Sequence, residues 1–183
     1  MKFEDLMIDT ETMGLPPDGA LLSIGAVFFD MKTCTLGPTF YRAINLATAV
    51  RDGGTITPGT VLWWLGQSQQ ARDAVRFGGI DIRNAMAEFS EFITDNSTLK
   101  TVRPYGNGAS FDLTIIDCAY KNAGLTRPWS PFKERCFRTI RNLYPQVEYN
   151  PDDKGTGAHN ALADAVFQAQ HLFKIKNRNK PSA

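Results

Sequence analysis

The sequence predicts an α/β fold: a mixed central sheet, three antiparallel strands followed by parallel strands, flanked by helices. Two patterns carry this expectation. Residues 3–44 hold short β-rich apolar runs separated by Gly, Pro and Asp turns, whereas from Leu46 onward the apolar spacing becomes helical, with isolated strand-like stretches between the helices. At 183 residues the chain suits one domain with a substantial core and is short for two.

Residues 3–9, "LLSIGAVFFD" at 21–30 and "TFYRAI" at 39–44 read as three strands whose spacing suits an antiparallel meander. "TPGTVLWWLGQ" then opens a helix, with Thr57 as cap and Pro58 at its first position. In "IDIRNAMAEFSEFITDN", Ile82, Ala85, Met86, Phe89, Phe92 and Ile93 recur at helical spacing. "KTVRPYGN" reads as a strand and "SFDLTIIDCAYKNAG" as a helix closed by Gly124, with Ser110 as its cap. "FKERCF" follows as a short strand leading into the helical "RTIRNLY". A polar Pro/Gly loop at 145–157 precedes the last helix, "NALADAVFQAQHLFKI". No linker divides the chain, so residues 1–176 are expected to form one domain and 177–183 a basic polar tail.

Hydrophobic residues at 43% and charged residues at 21% are ordinary globular usage, which argues against general disorder and a membrane protein. The net charge of +1 gives no global attraction to polyanions, so any nucleic-acid binding must come from a local patch. Cys34, Cys118 and Cys136 are widely spaced, with no CxxC and only two histidines, and imply neither a zinc site nor a disulfide framework. No window approaches the roughly 20 apolar residues of a membrane span, and a cytoplasmic protein is expected.

The informative stretch is "DLMIDTETMGL". Residues two apart on a strand share a face, so Asp9 and Glu11 project together. Two adjacent buried carboxylates repel unless a cation lies between them, although an acid pair just past a strand end can also be simply solvated. Asp112 begins an apolar helix stripe with Ile116, Ala119 and Ala123; alone it would read as a first-turn aspartate facing the helix dipole. In "HNALADA", His159 precedes a helix and Asp164 sits in its first turns, with the flexible "DKGTGA" before them. Four carboxylates and one histidine suit hard divalent ions, Mg²⁺ or Mn²⁺, better than zinc. Two such ions roughly 3.5 to 4 Å apart support in-line attack of water on a phosphodiester, and a histidine near neutral pH can take the proton.

The order "DTET", "NGASFD", "HNALAD" resembles the DEDDh exonucleases, whose three motifs occur in this order on a ribonuclease H-like fold. "IGAV" at 24–27 and Asn107-Gly108 are also similar, and the resemblance spans residues 5–165. "TPGTVLWWLGQSQQAR" resembles a branch related to ribonuclease T, which includes mycobacterial 3′ exoribonucleases and phage and bacterial proteins labelled exodeoxyribonuclease VIII. The resemblance implies that Asp9, Glu11, Asp112 and Asp164 are metal ligands for two divalent ions, Mg²⁺ or Mn²⁺, and that His159 is the general base. It further implies 3′-to-5′ removal of nucleotides from single-stranded ends, a bacterial or phage-infected cytoplasm and a homodimer. Thr12, Met13, Gly14 and Leu15 would then contact the sugar and base of the terminal nucleotide.

Trp63 and Trp64 point about 100° apart on their helix, so one is expected in the core and the other is free to stack on a base. Trp64 is assigned to stacking, with Phe111 beside Asp112 as a second platform. Arg72 and Arg76, and Arg135, Arg138 and Arg141, are candidates for phosphate contacts. Two other functions fit the same fold, a binding module without turnover and a ribonuclease H-type endonuclease. Nothing in the chain singles out a residue that reads the 2′-hydroxyl.

Overall fold

The structure, a computed structural model, describes residues 2–76, 78–98, 101–150 and 160–178. Strands β1 (Asp5–Thr12), β2 (Leu21–Asp30) and β3 (Thr35–Ala43) form the antiparallel meander. Strands β4 (Arg103–Gly106) and β5 (Arg135–Cys136) run parallel to β1, and the sheet order is β3-β2-β1-β4-β5. Between β3 and β4 lie α1 (Leu46–Arg51), α2 (Pro58–Leu65), α3 (Gln69–Arg76) and α4 (Ile82–Asn96). Helix α5 (Asp112–Asn122) joins β4 to β5, followed by α6 (Phe137–Leu143) and α7 (Ala161–Arg178). No described helix is long and apolar enough to cross a membrane.

Alternation along β1 builds two cores. Leu6 and Ile8 face one side with Ile24, Ala26 and Phe28, and pack against Met86, Phe89 and Ile93 of α4 and Leu113 and Ile116 of α5. Met7, Val27 and Phe29 face the other side and pack against Ala165, Ala169, Leu172 and Phe173 of α7. Both faces of β1 and β2 are therefore covered, which is why these strands read as nearly continuous apolar runs.

Gly25 sets the distance between α7 and the sheet. It pairs with Asp9 across β1 and β2, and a Cβ there would lie 2.1 Å from the Ala161 carbonyl carbon and from the Leu162 amide nitrogen. The absent side chain lets the first turn of α7 rest on the strand directly beside Asp9.

Local chemistry departs from the sequence expectation at several ends. β1 continues to Thr12, so Asp9 and Glu11 both lie within the strand, and a register shift between Glu11 and Thr12 bends its exit. Thr57 occupies the cap of α2, but its hydroxyl pairs with that of Thr60 at 2.7 Å instead of a backbone amide. Phe111, not Ser110, occupies the cap of α5. Gly124 does close that helix: at φ +72° its amide donates to the Lys121 carbonyl, and Leu125 donates to Tyr120. Helix α7 runs through Arg178, so residues 177 and 178 of the expected tail are helical, and the rest of that tail lies outside the described residues.

Candidate active site

Strands β1 and β4 are parallel neighbours, so their carboxyl ends lie side by side, the usual place for a ligand site in an α/β sheet. β1 brings Asp9 and Glu11 there on the α7 face. Asp164, in the first turn of α7, meets them, and ligand oxygens of Asp9, Glu11 and Asp164 all lie within 4.8 Å of one another. Asp112 arrives from the turn after β4. Its Oδ1 accepts hydrogen bonds from the Thr10 amide at 3.1 Å and the Thr10 hydroxyl at 2.8 Å, which ties the start of α5 to β1 between the two acids. A Cβ on Gly106 would sit 3.1 Å from Asp112 Oδ2, and Arg138 donates to the Asn107 carbonyl at 2.7 Å, bracing the turn.

The electrostatics follow from this crowding. Burial holds the Asp9 carboxyl well above the usual range, and Asp112, Asp164 and Glu11 push it further; a hydrogen bond from Gln168 Nε2 at 2.8 Å opposes them. Burial pushes Asp112 up to about 6, against the hydrogen bonds from Thr10. Tyr149 is pushed up to about 12 by burial and by the nearby Asp164 carboxylate, and the Arg141 guanidinium lies 4.6 Å over its ring centre. A divalent cation would reverse the repulsion among these acids, and an all-oxygen donor set suits a hard divalent ion.

A cleft of about 440 Å³ opens next to Glu11, lined by Thr12, Gly14, Leu15, Thr57, Thr60, Trp63 and Phe111. Four of the predicted substrate residues, Thr12, Gly14, Leu15 and Phe111, are on its wall. Met13 instead packs against the core clusters around Leu22 and Ile24. Trp64 must be corrected: it is 4% exposed, and its indole N–H donates to the Thr12 carbonyl at 2.9 Å, so it has no open face for a base. The tryptophan on the cleft wall is Trp63, 46% exposed and edge-on to Trp64.

Arg72 is committed to the Leu65 and Gln67 carbonyls and Arg135 to those of Lys133 and Glu134. His159 lies outside the described residues; Asn160, which follows it, caps α7 by accepting from the Leu162 and Ala163 amides at 3.1 Å each. Sequence reasoning missed Gln168 and Tyr149 as neighbours of the acids. For Gln168 a signal existed, since it lies one helical turn beyond Asp164.

Several solved structures share the fold. Escherichia coli exonuclease I in complex with single-stranded DNA is 18% identical, with a TM-score of 0.68, over 98% of this chain and 41% of that one. The nuclease domain of 3'hExo, a DEDDh family member bound to rAMP, is 13% identical, with a TM-score of 0.64, over 96% and 92%. Cell-death related nuclease 4 is 14% identical, with a TM-score of 0.62, over 97% and 65%. The chain thus spans about two fifths of the exonuclease I chain. No curated protein matches the sequence significantly. The model of the Rv2179c-like 3'-5' exoribonuclease domain matches residues 4–176, and the chain belongs to that family.

Proposed function

We propose that the protein is a divalent-metal-dependent 3′-to-5′ exonuclease that hydrolyses the terminal phosphodiester of single-stranded nucleic acid. The observation that carries this reading is the meeting of Asp9, Glu11 and Asp164 within 4.8 Å beside an aromatic-walled cleft, with Asp112 anchored to the intervening Thr10. Asp9, Glu11, Asp164 and Asp112 would hold two Mg²⁺ or Mn²⁺ ions. When bound, the ions supply Lewis-acid chemistry, acidifying a water and stabilising the leaving oxygen.

The chain's own residues do the rest. Trp63 and Phe111 offer ring surface on the cleft wall for the last bases, a contact indifferent to base identity and so suited to degradation without sequence preference. Thr12, Gly14 and Leu15 would border the terminal sugar next to Glu11. His159 would accept the proton of the attacking water; His159→Ala is expected to lower turnover by roughly 10² to 10⁴ while leaving Mn²⁺ binding intact.

The test is digestion of end-labelled single-stranded RNA and DNA of one sequence with Mn²⁺ or Mg²⁺, with Asp9→Ala alongside. A metal-dependent ladder shortening from the 3′ end and absent in the variant is expected, and its relative rate on the two substrates gives the sugar preference. Binding without release of mononucleotides would assign the fold to a binding module, and internal fragments to an endonuclease.

A further inference from the structure

Gln168 stands out among the buried polar groups. It is 1% exposed on the sheet-facing side of α7, one turn beyond Asp164, and its Nε2 donates to Asp9 Oδ1 at 2.8 Å. Its Oε1 is also buried and accepts no hydrogen bond among the described residues. A half-satisfied buried amide is a poor choice for stability, because the orphaned carbonyl loses its hydration without return. An apolar side chain of similar size would fill the same space between α7 and β1 without an orphaned carbonyl, but without a donor to Asp9.

We infer that Gln168 is a positioning residue for the metal site: its amide grips one oxygen of Asp9 and turns the other toward Glu11 and Asp164. The inference rests on the reading of Asp9 as a metal ligand. The orientation of the amide follows from charge. With Oε1 toward Asp9, carbonyl and carboxylate oxygens would oppose each other; with Nε2 toward it, a donor meets an acceptor. The grip also restricts Asp9 to one rotamer before any ion arrives, the role of an outer partner that orients a ligand. Gly25 serves the same geometry from the opposite strand, since it admits α7 close enough for the amide to reach.

The experiment is titration of Mn²⁺ into purified wild type, Asp9→Ala, Gln168→Leu and Gln168→Met, with free Mn²⁺ followed by electron paramagnetic resonance and melting of each EDTA-treated protein measured in parallel. Gln168→Leu is expected to weaken Mn²⁺ uptake by roughly 10- to 100-fold. Its nuclease rate should be regained by raising Mn²⁺. A purely structural role would lower the metal-free melting temperature and leave the Mn²⁺ isotherm in place. A wild-type isotherm in Gln168→Leu overturns the inference. Should that variant fail to fold, Gln168→Met, with its unbranched apolar side chain, decides the matter by the same criterion. If the wild type takes up no Mn²⁺, or Asp9→Ala binds it as the wild type does, the metal-site reading itself fails and Gln168 with it.

Discussion

Asp5 and Asp9 lie on the same face of the same strand, four residues apart, yet their surroundings are opposite. At Asp5 the guanidinium of Arg103 donates to both carboxylate oxygens, at 2.7 and 3.0 Å, and the Tyr105 hydroxyl donates at 3.3 Å. The pair raises the Arg103 pKa, chiefly through that hydrogen bond, and keeps the arginine charged. Among the described residues, Asp9 has the carboxylates of Glu11, Asp112 and Asp164 as neighbours and accepts one side-chain hydrogen bond, from the Gln168 amide. One end of β1 therefore carries an acid whose charge is met by an adjacent guanidinium, and the other a group of acids that raise one another's pKa among the described residues. A fold gains nothing from the second arrangement by itself, so its presence points to a cation and to chemistry.

This contrast breaks most visibly under substitution of the acids. Asp9→Asn is expected to lower the hydrolysis rate by roughly 10³-fold or more, since several kcal/mol of charge stabilisation depend on the ligand set. The same change should raise the melting temperature of the EDTA-treated protein, because one repelling charge is gone. Asp5→Ala should do the reverse: the turnover number stays near wild type while stability falls by about 2 kcal/mol, read from denaturant titration. Loss of activity without loss of stability in Asp5→Ala would erase the distinction.

Metal and pH test the cluster as a whole. A saturating divalent ion, at about 100 times its dissociation constant, stabilises by about 2.7 kcal/mol, a rise in melting temperature of roughly 5 to 10 °C for a chain of this size. In EDTA, the raised carboxyls of Asp9 and Asp112 favour the folded state only while protonated. Their contribution is thus fully present below the ordinary carboxylate range and is lost as pH rises through about 6, where Asp112 titrates. The metal-free protein should therefore become less stable between about pH 4 and pH 7, and Mn²⁺ should flatten that slope. A metal-free stability that rises steadily over this range would mean the acids are compensated within the chain.

The two ends of β1 were unequally legible in the sequence. The period of two in "MIDTET" is enough to place Asp9 and Glu11 on one face, and helical spacing places Asp112 and Asp164 at helix starts. The pairing of Arg103 with Asp5 depends on the parallel register of β1 and β4, in which the two residues are direct partners, and no local pattern encodes that register. Gln168 was one helical turn from a recognised acid but carries no charge to draw notice. β5 was the hardest element to delimit, because it is only two residues long and is held by the pairings Tyr105 with Arg135 and Gly106 with Cys136.

The adjacent tryptophans repeat the contrast at smaller scale. Periodicity separates their directions but does not say which one faces inward; the Thr12 carbonyl, at the irregular end of β1, decides by accepting the Trp64 indole N–H. Trp64→Phe keeps an aromatic ring and loses that bond, so it should destabilise by about 1 to 2 kcal/mol, with the kinetic loss arising indirectly from a loosened Thr12. Trp63→Ala removes a half-exposed ring and should lower the melting temperature less than Trp64→Phe does while raising KM for single strands by roughly 5- to 100-fold, the range of one base-stacking contact. A KM effect confined to Trp64, with Trp63→Ala silent in both measurements, would move the stacking surface away from this wall of the cleft and leave Phe111 as its remaining aromatic platform.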